Sequence, residues 1–150
     1  MLKQVEVILH LRSLDLFARL TTQELSELAA VVREETYPPG GTIMREGEFG
    51  DCMYLVVEGN VRVTREGKFV KRFKPGEFFG EMAVLDGETR SATVTAATPL
   101  RLLRLEKNDL LPLMDEQPGI AIAMCQTLSR HLRALIDRLE GRGAGDDSDS

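Results

Sequence analysis

Apolar and polar positions change period twice along this chain, dividing it into a helical segment, a strand-rich segment and a second helical segment. Over residues 3–12, Val5, Ile8 and Leu9 share one helical face. Leu14, Leu16, Phe17 and Leu20 follow as a dense apolar knot. Thr21-Thr22-Gln23-Glu24 reads as a capping box, because Thr21 can accept from the amide three residues on while Glu24 reaches back. Leu20 and Leu25 stand at the positions of a hydrophobic staple. Leu25, Leu28, Ala29 and Val32 then recur at helical spacing, with Glu24, Glu27, Arg33 and Glu34 opposite them. This pattern predicts an amphipathic helix that runs until Tyr37-Pro38-Pro39-Gly40-Gly41 stops it.

From Thr42 to Leu105 the period shortens. The β-prone runs are Thr42 to Arg45, Tyr54 to Val57, Asn60 to Thr64, Phe69 to Phe73, Ala92 to Thr95 and Leu100 to Leu105. Glu46-Gly47-Glu48, Glu58-Gly59, Glu66-Gly67 and Pro75-Gly76 punctuate them, and such regular spacing implies a barrel or sandwich. Val61 and Val63 alternate with Arg62 and Thr64, so one face is buried. Leu100, Leu102, Leu103 and Leu105 alternate less strictly, as at a barrel corner. Helix returns at Lys107 or Asn108, with Asp109 in the first turn and Pro112 early, where a missing N–H costs least. Pro118-Gly119 breaks it, and a longer helix is predicted from Ile120 to Leu139, carrying Ile120, Met124, Leu128, Leu132, Leu135 and Leu139 on a stripe. Residues 141–150 are Gly, Asp and Ser with little to bury, so the reading is one domain over 1–140 and a disordered acidic tail over 141–150.

Composition narrows the function classes. At 150 residues and 43% apolar, one domain can bury an adequate core without staples. A net charge of −5 argues against a general nucleic-acid binder. Cys52 and Cys125 form neither a disulfide framework nor a metal set, which fits two thiols in a reducing cytoplasm. No signal core opens the chain, and no apolar run approaches the ~20 residues of a membrane span. His10 and His131 lack partners at ligand spacing, so a solvated or helix-face role is expected for both. No carboxylate pair with a base and no nucleophile–His arrangement argues for an enzyme.

One stretch concentrates the chemistry. After Lys74-Pro75-Gly76, Gly80 opens a short helix-prone run, Met82-Ala83-Val84-Leu85, which Asp86-Gly87 closes. A helix starting at Gly80 or Glu81 presents free N–H groups and the positive end of its dipole. The chain then turns back, and Arg90 arrives just before the β-branched run Thr93-Val94-Thr95. Amides and a guanidinium converging on one small site suit a phosphate.

Phe79-Gly80-Glu81-Met82-Ala83 followed by Arg90-Ser91-Ala92-Thr93-Val94 resembles the phosphate-binding cassette of cyclic nucleotide-binding domains, and the resemblance extends from about Leu14 to about Leu139. It implies an α+β fold: an eight-stranded antiparallel, jelly-roll-like β-roll flanked by N-terminal and C-terminal helices. It implies that Glu81 takes the ribose 2′-hydroxyl and Arg90 the cyclic phosphate. Amides at Gly80, Ser91 and Ala92 complete the cage, with Met82 in the aliphatic position. It also makes Val61, Val63 and Phe73 candidates for the wall against the base, and Leu132, Arg133, Leu135 and Ile136 of the last helix candidates for a lid. Thr89 departs from the Pro that many members place before the Arg, which removes a fixed φ but no contacting group.

The expected function is a sensor of cAMP, less favourably of cGMP, that binds the nucleotide without hydrolysing it, needs no other cofactor and works in the cytoplasm. Ser91 keeps the choice of base open, since a hydroxyl there can meet the 2-amino group of guanine. The last helix would relay binding to a second copy, as a homodimer, or to an effector protein. A catabolite-activator-type factor is rejected, because only eleven acidic, Gly-rich residues follow Leu139. Two alternatives stand: an interaction module of the same fold that binds no nucleotide, and the regulatory domain of a larger channel or kinase.

Overall fold

The computed structural model describes the backbone of residues 1–149 and the side chains of residues 1–141. Two helices come first, α1 (Gln4–Ser13) and α2 (Thr22–Val31). Eight strands follow: β1 (Arg33–Tyr37), β2 (Thr42–Met44), β3 (Cys52–Glu58), β4 (Val61–Arg65), β5 (Lys68–Phe73), β6 (Phe78–Phe79), β7 (Thr93–Ala96) and β8 (Leu100–Glu106), with the short α3 (Glu81–Asp86) between β6 and β7. Helices α4 (Lys107–Glu116) and α5 (Pro118–Asp149) end the chain. The strands form two antiparallel four-stranded sheets, ordered β1-β8-β3-β6 and β2-β7-β4-β5. This is the expected α+β roll of eight strands with helices at both ends. The expected disordered acidic tail covers residues 141–150; the described backbone carries α5 to Asp149, and the side chains past Gly141 lie outside the described residues.

The first sheet is covered on both faces, and that explains its sequence. Cys52, Tyr54 and Val56 of β3, with Leu100 and Leu102 of β8, face the other sheet. Met53, Leu55 and Val57, with Leu103 and Leu105, lie under the helices beside Leu11, Phe17, Leu25, Leu28, Leu110 and Ile120. The β8 leucines therefore alternate strictly between two dry faces, and no barrel corner is needed to account for them.

Several local expectations change. Thr21 and Glu24 do form the capping box, with Thr21 N–H donating to Glu24 Oε1 at 2.8 Å and Glu24 N–H to Thr21 Oγ1 at 3.2 Å. However, α2 ends at Val31, and Arg33 and Glu34 belong to β1, which pairs with β8. β1 has no apolar period. Its carboxylates meet β8 across the ladder, Glu34 to Arg101 at 3.0 Å and Glu35 to Arg104 at 3.4 Å. β6 pairs only two residues, Phe79 with Tyr54 and Phe78 with Leu55. On α1 the buried residues are Val7 and Leu11, while Val5 and Leu9 face solvent. Pro112 is the sixth residue of α4, past the first turn, so it removes a helical N–H. Pro118 opens α5, where its fixed φ suits the first helical position.

Candidate functional site

The site is built where β6 hands over to α3. Phe79, held against Tyr54 by stacking at 5.2 Å and by the β3 ladder, delivers the chain to Gly80. Gly80 has φ +86°, and a Cβ there would stand 2.8 Å from Arg90 Nη1. Only glycine meets both demands. α3 then runs through Glu81, and Gly87 at φ +75° ends it.

Arg90 is fixed from both ends. Its N–H donates to Glu48 O at 2.7 Å and its carbonyl accepts from Gly47 N–H at 2.9 Å. Its guanidinium, in a residue only 6% exposed, donates to Gly80 O at 2.9 Å and to Cys52 O at 2.7 Å, with Cys52 Sγ at 3.5 Å. Two carbonyls thus orient the fork while it keeps further N–H donors. Gly50 closes the other side, where a Cβ would lie 2.6 Å from Arg90 Cζ. The sequence reading did not single out Gly50; nothing in its local pattern marks it, because the neighbour it makes room for is forty residues away.

Glu81 faces the same space with the opposite character. Its Oε2 is buried without a hydrogen-bond partner. Burial pushes the carboxyl above the usual carboxylate range, against the pull of its own backbone amide, His131, Arg90 and Lys71. A carboxylate held dry and short of a donor is ready to accept one.

Glu81 and Arg90 line a single cavity of about 360 Å³. Of the other candidates, Gly80, Met82, Ser91, Ala92, Val63 and Phe73 line it too. Val61 does not; it is fully buried in the core between the sheets. Leu132, Arg133, Leu135 and Ile136 do not reach it either and lie exposed on α5. Lys71 and Met44 line the cavity without having been anticipated, and Phe79 and Val94, quoted in the cassette motif without a role of their own, line it as well. Lys71 and Val94 could have been found by period two, one residue pair before Phe73 and after Ala92. Asp86 and Glu88 add acidic groups to the lining.

α5 approaches the cavity at His131. This ring stacks on Phe78 at 5.9 Å, and its Nε2 lies 3.6 Å from Asp15 Oδ2. Arg130 donates to Asp15 Oδ1 at 3.4 Å. A second cavity of about 430 Å³ lies here, lined by His131, Phe78 and Asp15 and sharing Lys71, Phe73 and Glu81 with the first. His131 thus keeps the solvated, helix-face position expected of it, with its side chain 53% exposed, and adds Phe78 and Asp15 as neighbours.

Residues 34–117 match the family model described as "Cyclic nucleotide-binding domain". The chain is 45% identical over 106 residues to a cyclic nucleotide-gated potassium channel of Mesorhizobium japonicum, covering 71% of this chain and 29% of the channel. It is 34% identical over 123 residues to a cyclic AMP receptor protein of Thermus thermophilus, covering 79% of this chain and 57% of that protein. Among solved structures, the N-terminal domain of a transcriptional regulator from Streptomyces coelicolor superposes with a TM-score of 0.75 at 35% identity, covering 85% of this chain and 95% of that one. The chain thus spans under a third of the channel and under two thirds of the receptor protein. No helix among the described residues is long and apolar enough to cross a membrane.

Proposed function

The chain belongs to the cyclic nucleotide-binding domain family, and from that premise we propose that it is a cytoplasmic sensor that holds cAMP, and less favourably cGMP, in the cavity beside α3. One observation carries the reading: a buried carboxylate oxygen without a partner on Glu81 and a buried, pre-oriented guanidinium on Arg90 line the same cavity. Glu81 accepts the ribose 2′-hydroxyl as donor. Arg90 pairs with the cyclic phosphate, with the amides around Ser91 and Ala92 beside it. Val63 and Phe73 lie against the base. The name of the Thermus relative supports cAMP as the nucleotide.

Binding is the whole of the chemistry in this reading, with no turnover and no further cofactor. The ligand favours the arrangement in which α5 is drawn to the cassette, and it shifts that equilibrium by no more than its differential affinity. α5 passes the change to a second copy or to an effector protein. The same module within a longer channel is the second reading, favoured by the short share of the Mesorhizobium channel that this chain spans. It leaves the ligand chemistry unchanged.

The test is calorimetric titration with cAMP and cGMP beside thermal unfolding, with the nucleotide assayed by chromatography afterwards. Saturable binding, tighter for cAMP, with intact nucleotide recovered, is the expected outcome. No heat and no melting shift at millimolar nucleotide would reject the sensor in favour of an interaction module that binds neither.

A further inference from the structure

β5 stands at the edge of its sheet, with β4 on one side and no strand on the other among the described residues. Residues 68–72 are exposed throughout. The β4–β5 hairpin gathers Arg62, Arg65, Lys68, Lys71, Arg72 and Lys74, with Glu66 as its single carboxylate, in a chain whose net charge is −5. None of the six cations joins an ion pair among the described residues. Arg62 lies directly opposite Arg72 across the ladder, an arrangement that disfavours the free sheet.

Cations on an edge strand ordinarily guard it against pairing with another copy. Guarding alone does not account for Phe69 and Val70, each 50% exposed in the middle of the same strand. Arg62 lies over the Phe69 ring at 4.9 Å, so the apolar and cationic groups form one surface. The cations also occupy both faces of the strand. Arg72 pairs with the outward Arg62, while Lys71 pairs with the inward Val63 and lies over Phe73 at 4.3 Å. A membrane or a nucleic-acid duplex meets one face of a strand. A strand added edge-on places side chains on both.

We propose that the free edge of β5 is a docking site for an extended, acidic protein segment, which adds as a further strand of the β2-β7-β4-β5 sheet. Its backbone pairs with the open edge, its carboxylates meet Arg72, Lys68 and Lys71, and its apolar residues cover Phe69 and Val70. The same cations repel a second β5, which selects an acidic partner over self-pairing. This inference does not depend on nucleotide binding.

The experiment uses the full chain and a short synthetic peptide of Glu pairs alternating with Val pairs, which as a strand carries carboxylates and valines on both faces, followed by fluorescence anisotropy and amide hydrogen exchange. The comparison probes are the same peptide with Lys for Glu, vesicles containing phosphatidylserine, and double-stranded DNA. The acidic peptide is expected to bind saturably and to slow exchange within 68–73, leaving 80–92 unchanged. The pair Lys68→Glu and Arg72→Glu, whose fold is checked by a melting temperature no lower than that of the wild type since Glu at 72 relieves the repulsion with Arg62, is expected to weaken it about tenfold. Three outcomes would overturn the proposal. The acidic peptide does not bind at low salt, or it binds without protecting β5, or vesicles or DNA bind as tightly and through the same cations.

Discussion

A carboxylate oxygen buried without a donor costs roughly 1–3 kcal/mol or more, and Glu81 bears that cost in the free protein. Because burial raises its folded carboxyl above the ordinary value of 4.5, the folded chain holds this proton more tightly than the unfolded chain. The stability it contributes is complete below 4.5 and is lost as pH rises through the raised folded value. Chemical denaturation across that window is expected to show the unfolding free energy of the free protein falling with pH, and Glu81→Gln is expected to flatten the fall. With cAMP bound, the 2′-hydroxyl favours the ionised carboxylate and the fall shrinks. Arg90 carries a different weight. Arg90→Ala removes the phosphate partner and is expected to cost ~3–4 kcal/mol of cAMP binding, several hundredfold in calorimetry. It also strips a donor from Gly80 O and Cys52 O, so the melting temperature of the free protein falls as well. Ser91→Ala separates the bases: if the hydroxyl reads guanine, cGMP affinity drops more than cAMP affinity, and equal losses deny it that role.

Among the elements, α3 is bounded by two glycines at positive φ, and the first also leaves room for Arg90. Gly80→Ala is expected to cost roughly 1–3 kcal/mol in denaturant unfolding, and to weaken cAMP binding because the new methyl displaces the guanidinium. The bounds of α3 and the approach of Arg90 were legible in the sequence because both are local: an apolar run between glycines, then a basic residue at a strand start. The capping box of α2 was legible for the same reason. β1 was not, because Arg33-Glu34-Glu35-Thr36-Tyr37 has no apolar period and becomes a strand through carboxylates meeting Arg101 and Arg104 some seventy residues later. β6 is too short to show a period. In the cavity, the cassette residues came from a contiguous motif. Gly50 came from a chain crossing that no local pattern encodes, whereas Lys71 was legible as the period-two neighbour of Phe73. The lid candidates on α5 came from the family resemblance, and the described helix instead presents His131, which stacks on Phe78 and shares a cavity lining with Glu81.

For the molecule as a whole, two unspent surfaces remain, one inside and one outside. Ligand that binds only the folded state adds ~2.7 kcal/mol at a hundredfold excess over its dissociation constant. For a chain of this length that is a rise of roughly 5–10 °C in melting temperature, which scanning calorimetry with cAMP measures directly. The outer surface is the stretch of α5 past His131, where Leu132, Leu135, Ile136 and Leu139 are 58, 45, 43 and 57% exposed. Their spacing of three and four residues forms one continuous seam along the helix. A seam of that kind buries itself most simply against an identical one, since a two-fold contact needs no second surface. Sedimentation velocity at micromolar concentration is expected to show a dimer. Leu135→Asp with Ile136→Asp is expected to return a monomer that still binds cAMP, because neither residue lines the cavity, with an affinity changed by the factor through which cAMP alters dimerisation. A wild-type chain that sediments as a monomer throughout would assign the seam to an effector protein, and the relay would then run between unlike partners.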